Sequence, residues 1–206
     1  MLNAPNIEDK VKDAVFKHLL LRVAPAESNS RRNSLGNAMY HVMNTDSIPN
    51  DAAVVVEYRL NGRKFRIDFM GGGTDSLGKE SISIIELKHW TDIKYSDLGE
   101  HVRTQVGGGV HNEQHPSYQA WSYLTHLRDF NEYAYSNQLN INSSAYLHNR
   151  STDKVIRDPK FSAITDRSSV FIKGEIEALR SHSAVQGAIH RAIVATRRKE
   201  RHRAAR

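Results

Sequence analysis

Phe65-Arg66-Ile67-Asp68-Phe69, an insert from Met70 to Glu80, and Ser81-Ile82-Ser83-Ile84-Ile85-Glu86-Leu87-Lys88-His89-Trp90 decide how this chain is read. Side chains two apart on a strand point to the same face. Glu86 and Lys88 therefore project together from the end of an apolar strand, and Asp68 sits on the strand before it. An acid and an amine side by side are a poor choice for packing alone. Asp and Glu are ligands for a hard divalent cation, and a neighbouring ammonium holds a water or offsets developing negative charge. These parts suit hydrolysis of a phosphodiester.

Upstream, Asn61-Gly62 separates Val54-Val55-Val56-Glu57-Tyr58-Arg59-Leu60 from Arg63-Lys64-Phe65-Arg66-Ile67-Asp68-Phe69. Asn-Gly between two β-rich runs predicts a two-residue type I′ hairpin. Traced outward from that turn, Tyr58 faces Phe65, Glu57 faces Arg66, Val56 faces Ile67 and Val55 faces Asp68. Cross-strand partners share a face, so Glu57, Arg66 and Asp68 are expected on one side. Val56, Tyr58, Phe65, Ile67 and Phe69 form the other, taken as core. The insert holds Gly73, Gly78 and Lys79 at phosphate-loop spacing. Glu80 stands where that motif needs Ser or Thr, and a strand follows where it needs a helix. A hairpin loop is expected there instead.

Glu80 to Trp90 is apolar on both faces, as for a strand in mid-sheet. Thr91 to Gly109 is polar and ends in three glycines, which predicts a loop or short helix. Pro116 suits the first turn of a helix with Ala120, Tyr123, Leu124, Leu127 and Phe130 on one face. Gln119 lies four residues before Tyr123 on that face. A fourth strand is expected over Ile141–Leu147 and a strand or turn at Val170–Ile172. Helices are expected over Ile7–Val23, Ser30–Met43, Gly174–Arg180 and Ser183–Arg201. His111 and His115 read as capping or surface residues, and Trp90 and Trp121 as core.

The 206 residues carry 39% apolar and 25% charged side chains and no cysteine, which is an ordinary globular composition without disulfides or Cys-bound zinc. Nothing approaches the roughly 20 apolar residues of a membrane span, and the first residues show no signal peptide. The expectation is a cytoplasmic protein with no membrane partner. The net charge of +6 is local. Arg191–Arg206 holds seven of the 29 basic and one of the 23 acidic residues, so positions 1–190 carry 22 of each and are neutral. The chain divides into a single domain over 1–190, with its core at about 52–148, and a basic end over 191–206. That end suits a polyanion or a solvated helix terminus.

Asp68, Glu86 and Lys88 within this order of elements resemble the PD-(D/E)XK nuclease superfamily. Gln119-Ala120-Trp121-Ser122-Tyr123 resembles the Gln-x-x-x-Tyr helix of its RecB-like branch. Together with His115-Pro116-Ser117-Tyr118-Gln119, these stretches are similar to the nuclease-like region ahead of helicase domains in some bacterial proteins. Ile67 replaces the Pro of the family name. Gly36 and His41 lie one residue too far apart for the upstream Gly-x-x-x-His of that branch.

The resemblance implies an α/β fold with a restriction-endonuclease-like core: a mixed sheet of about four strands flanked by helices, in the order αβββαβ. It implies a Mg²⁺-dependent nuclease, with Mn²⁺ as a substitute and DNA favoured over RNA. Asp68, Glu86 and the Leu87 carbonyl would hold the metal, with Glu57 as an extra candidate that reads first as the partner of Arg66. Lys88 would position the attacking water; Gln119 and Tyr123 complete the catalytic set. Arg66, Arg197, Arg198 and Lys199 are the nucleic-acid-binding candidates, and a helicase domain is a candidate partner. An inactive nucleic-acid-binding or partner-binding module on the same fold is the alternative.

Overall fold

Apolar runs that are blocked on both faces by other elements form the centre of the computed structural model, which describes residues 53–60, 66–74, 79–90, 92–106, 108–152 and 154–182. In chain order the strands and α-helices are β1 (Ala53–Arg59), β2 (Arg66–Thr74), β3 (Glu80–Lys88), β4 (Ile93–Tyr95), β5 (His101–Val106), β6 (Gly109–Gln114), α1 (Pro116–Phe130), α2 (Glu132–Ser136), β7 (Asn140–Leu147), α3 (Ser162–Thr165), β8 (Ser169–Ile172) and α4 (Ile176–His182). Short 3-10 turns precede α3 and α4. The molecule is α/β, with a five-stranded sheet in the order β1-β2-β3-β7-β8 and a three-stranded sheet β4-β5-β6. The large sheet is mixed: β1, β2 and β3 run antiparallel, and β7 and β8 run parallel to β3. One strand more than expected is present, because Ser169–Ile172 joins the β7 edge.

β3 lies in the middle, and Ser81 to Glu86 are buried on both faces. Helix α1 covers one of those faces. Val55, Met70, Ile82 and Ile84 pack there with Tyr123 and Leu127 of α1. Ala145, Leu147, Val170 and Ile172 pack with Trp90, Val102, Ile156 and Phe161. Trp90 is core, as expected, whereas Trp121 is half-buried, edge-on to Tyr118 and under the Arg167 guanidinium.

Three local expectations are corrected. The β1–β2 ladder pairs Arg59 with Arg66, Tyr58 with Ile67 and Val56 with Phe69, two residues away from the register traced from Asn61-Gly62. That turn and Phe65 lie outside the described residues. A slip of two preserves the alternation of faces, so Glu57, Arg66 and Asp68 still share a side. Gly71, Gly72 and Gly73 are not a loop; they pair with Ser83, Ile82 and Ser81 and extend β2. Lacking side chains, they read as a break in sequence, yet their N–H and C=O groups complete the ladder all the same.

The third correction concerns Thr91–Gly109, expected as a loop, which contributes β4, β5 and the start of β6. Val106 pairs with Gly109, and Gly108 before it takes φ +86°. Two strands parted by Gly-Gly are a hairpin signal. It was obscured because Val102 and Thr104 alone carry the buried face of β5.

Helix α1 starts where Pro116 predicted. His115 caps it, with Nδ1 accepting the Ser117 N–H at 3.2 Å and Nε2 donating to the Ile156 carbonyl at 2.9 Å. Ala120, Tyr123 and Leu127 are buried, but Phe130, expected on the same face, is 74% exposed. It lies at the end of the last turn, stacked on the His126 ring one turn back. The strand over Ile141–Leu147 and the helix near Gly174–Arg180 are present as β7 and α4. The helices over Ile7–Val23, Ser30–Met43 and Ser183–Arg201 lie outside the described residues. No helix among the described residues is long and apolar enough to cross a membrane.

Candidate active site

The β2–β3 ladder stops at Phe69 opposite Ile85. The next two residues along it are Asp68 and Glu86. Instead of another main-chain pairing, the Leu87 N–H donates to Asp68 Oδ2 at 3.0 Å. This carboxylate thus satisfies a strand amide that the ladder leaves over. One strand further, Glu86 and Lys88 lie opposite Ala145 and Leu147 of β7. Lys88 Nζ donates to Glu86 Oε1 at 2.7 Å. Its ammonium also stands 5.4 Å from the centre of the Trp90 ring.

Glu86 is only 4% exposed, and its second oxygen, Oε2, has no hydrogen-bond partner among the described residues. Burial, and then the charge of Asp68, push the Glu86 carboxyl up to about 8. Burial alone would favour a neutral Lys88, yet Glu86 and Asp68 outweigh it and keep the ammonium charged. Tyr123 reaches the same cluster from α1. Burial raises its phenol, and the charges of Glu86 and Asp68 raise it further. Asp68, Glu86, Lys88 and Tyr123, predicted from three separate stretches, are therefore brought together.

Gln119 lies one turn before Tyr123, half-buried, with an amide oxygen that has no partner among the described residues. Glu57 and Arg66 form an ion pair, Arg66 Nη1 to Glu57 Oε2 at 2.5 Å. They are diagonal rather than directly opposed, a consequence of the shifted register. Glu57 adopts φ +54° between Val56 and Tyr58, whose ladder partners are Phe69 and Ile67. A non-glycine residue in that region is strained, and here the strain lies beside Asp68. Its carboxylate serves Arg66, as the hairpin reading expected.

His115 is a buried cap held neutral, its pKa lowered to about 4 by burial, and His111 is exposed. Arg197, Arg198 and Lys199 lie outside the described residues. Sequence reading missed Glu113 on β6, whose charge reaches Lys88. The one signal in the sequence was the Gly-Gly pair at Gly108-Gly109, because β6 carries no clear alternation of its own.

The described residues contain no cluster of three or more His, Asp or Glu side chains arranged to hold a metal ion. The donors available to a cation are two carboxylates and the Leu87 carbonyl. They fit a hard cation: all are oxygens, one carboxylate oxygen is orphaned, and the two acids repel each other until a positive charge joins them. Comparison of the chain with protein-family models, with curated proteins and with solved structures found no match.

Proposed function

We propose that this chain is a metal-dependent nuclease of the PD-(D/E)XK kind on a restriction-endonuclease-like core, hydrolysing phosphodiester bonds in DNA in preference to RNA. Three antiparallel strands, a helix and a strand parallel to the third support that core. The β4–β6 sheet is an insertion between its third strand and its helix. The observation that carries the functional reading is the buried Glu86 carboxyl, with one oxygen unpartnered and Asp68 beside it. Groups so destabilised collect at functional sites.

Asp68, Glu86 and the Leu87 carbonyl would hold Mg²⁺ or Mn²⁺. When bound, such an ion supplies charge neutralisation at the scissile phosphate and lowers the pKa of the attacking water. Lys88, an ammonium already held by Glu86, orients that water and offsets charge on the phosphorane. Tyr123, kept protonated, donates a hydrogen bond from the α1 side, and Gln119 offers an amide one turn away. Trp90 and the core beneath it exclude bulk water from the Lys88 side.

The test is incubation of the full chain with single- and double-stranded DNA and RNA, in Mg²⁺ or in chelator, following both binding and products. Cleavage is expected only with Mg²⁺, and not from Glu86→Ala. Salt-sensitive binding without product would replace the nuclease reading with that of a binding module. Full cleavage by Glu86→Ala would sink the site.

A further inference from the structure

Lys88 has more than one acid within reach. In the β5–β6 ladder Glu113 lies opposite Val102, and cross-strand partners share a face. Val102 is fully buried and packs in one cluster with Trp90 and Leu147. Leu147 in turn lies opposite Lys88 in the β3–β7 ladder, and the Lys88 ammonium sits near the Trp90 ring. Glu113 therefore belongs to the face of the small sheet that is turned toward Lys88, and its charge acts on that ammonium.

We infer that Glu113 is a positioning residue: it takes over the Lys88 ammonium when Glu86 turns its carboxyl to a cation. The need arises from Glu86 itself. While Glu86 is ionised and its Oε1 accepts from Lys88, the pair is compensated. Once Glu86 is engaged elsewhere, Lys88 is left as a largely buried charge, its side chain 16% exposed. An uncompensated charge in such a place is costly, and the ammonium would swing out of the site. A half-buried carboxylate on a neighbouring rigid hairpin holds it where the attacking water must lie. The takeover rests on the nuclease reading for its purpose, but the pairing of Lys88 with Glu113 does not.

Glu86→Gln mimics the engaged state without any metal. Lys88→Met, Glu113→Gln and their double variant, made both with Glu86 and with Glu86→Gln, are to be melted in chelator at pH 9, where Glu86 is ionised; Lys88→Gln serves if the Met variant does not fold. The coupling between positions 88 and 113 should move the midpoint by about 2–4 °C in the Glu86→Gln background and by less when Glu86 is present. No coupling in either background, or equal coupling in both, overturns the inference.

In parallel, Glu113→Gln should lower kcat for Mg²⁺-dependent DNA cleavage on the order of 10- to 100-fold at unchanged KM, with Glu113→Asp restoring part of it. Wild-type kcat in Glu113→Gln overturns the positioning role. An inactive wild type with the coupling intact removes the nuclease reading and leaves the pairing standing.

Discussion

Asp68 takes the N–H of Leu87 at the point where the β2–β3 ladder ends. One carboxylate thus has two tasks: it completes the hydrogen bonding of a strand, and it presses a like charge on Glu86. The tasks are separable. Asp68→Asn keeps an acceptor for Leu87, so its thermal midpoint should stay close to that of wild type. Asp68→Ala leaves the amide unpaired, at a cost of about 1–3 kcal/mol. Both should lose Mg²⁺-dependent cleavage, and melting curves beside cleavage assays check the split.

Glu86 makes stability depend on pH in an unusual direction. Its carboxyl is raised from 4.5 to about 8. Between those values the folded protein holds a proton that the unfolded chain releases. The contribution of Glu86 to stability should therefore fall as pH rises from about 4.5 to 8, so Glu86→Gln should gain on wild type across that window and be the more stable protein at pH 8. A bound cation has to displace the same proton. Titration calorimetry with Mg²⁺ at pH 7, in buffers of different ionisation enthalpy, should report release of about one proton. Release should vanish in Glu86→Gln.

The acid side is controlled by histidines. Burial holds His115 neutral, with a pKa of about 4; His148 is likewise lowered to about 4, by burial and then by His89. Each is neutral in the folded state and charged in the unfolded chain between about 4 and 6.5, so the histidines' contribution to stability should be lost as pH falls through that window, against the slope set by Glu86. Urea titrations of Glu86→Gln at pH 5 and pH 7, free of the opposing Glu86 slope, measure it. His115→Ala also removes the helix cap and the bond to Ile156, and should cost at least about 2 kcal/mol at pH 7.

Tyr123 packs with Ile84 and Leu127 in the core and meets the charges of Asp68 and Glu86. Tyr123→Phe keeps the packing and deletes the hydroxyl. Its thermal midpoint should change little, while kcat for DNA cleavage should drop on the order of tenfold, the lower end for a lost positioning contact. A large fall in stability with unchanged kcat would show that the hydroxyl serves the fold.

The sequence by itself determined the local patterns: β1, β2, β3 and β7 from β-rich or apolar runs, the start of α1 from Pro116, and the pairing of Glu86 with Lys88 on one face. These rest on periodicity and backbone stereochemistry, which act within a few residues. Several features were decided only by tertiary structure. The β1–β2 register lies two residues from the one traced from Asn61-Gly62; alternation survived, so Glu57, Arg66 and Asp68 kept their side. The three glycines of the insert became strand because neighbours on both sides of β2 complete its hydrogen bonds. The β4–β6 sheet was hidden because one fully buried valine and one buried threonine are too weak a pattern to read in one dimension. The approach of Asp68 to Glu86, of Tyr123 to both, and of Glu113 to Lys88 joins residues up to 55 positions apart. No spacing rule encodes such an approach; it exists only once a shared core has oriented the strands and the helix around it.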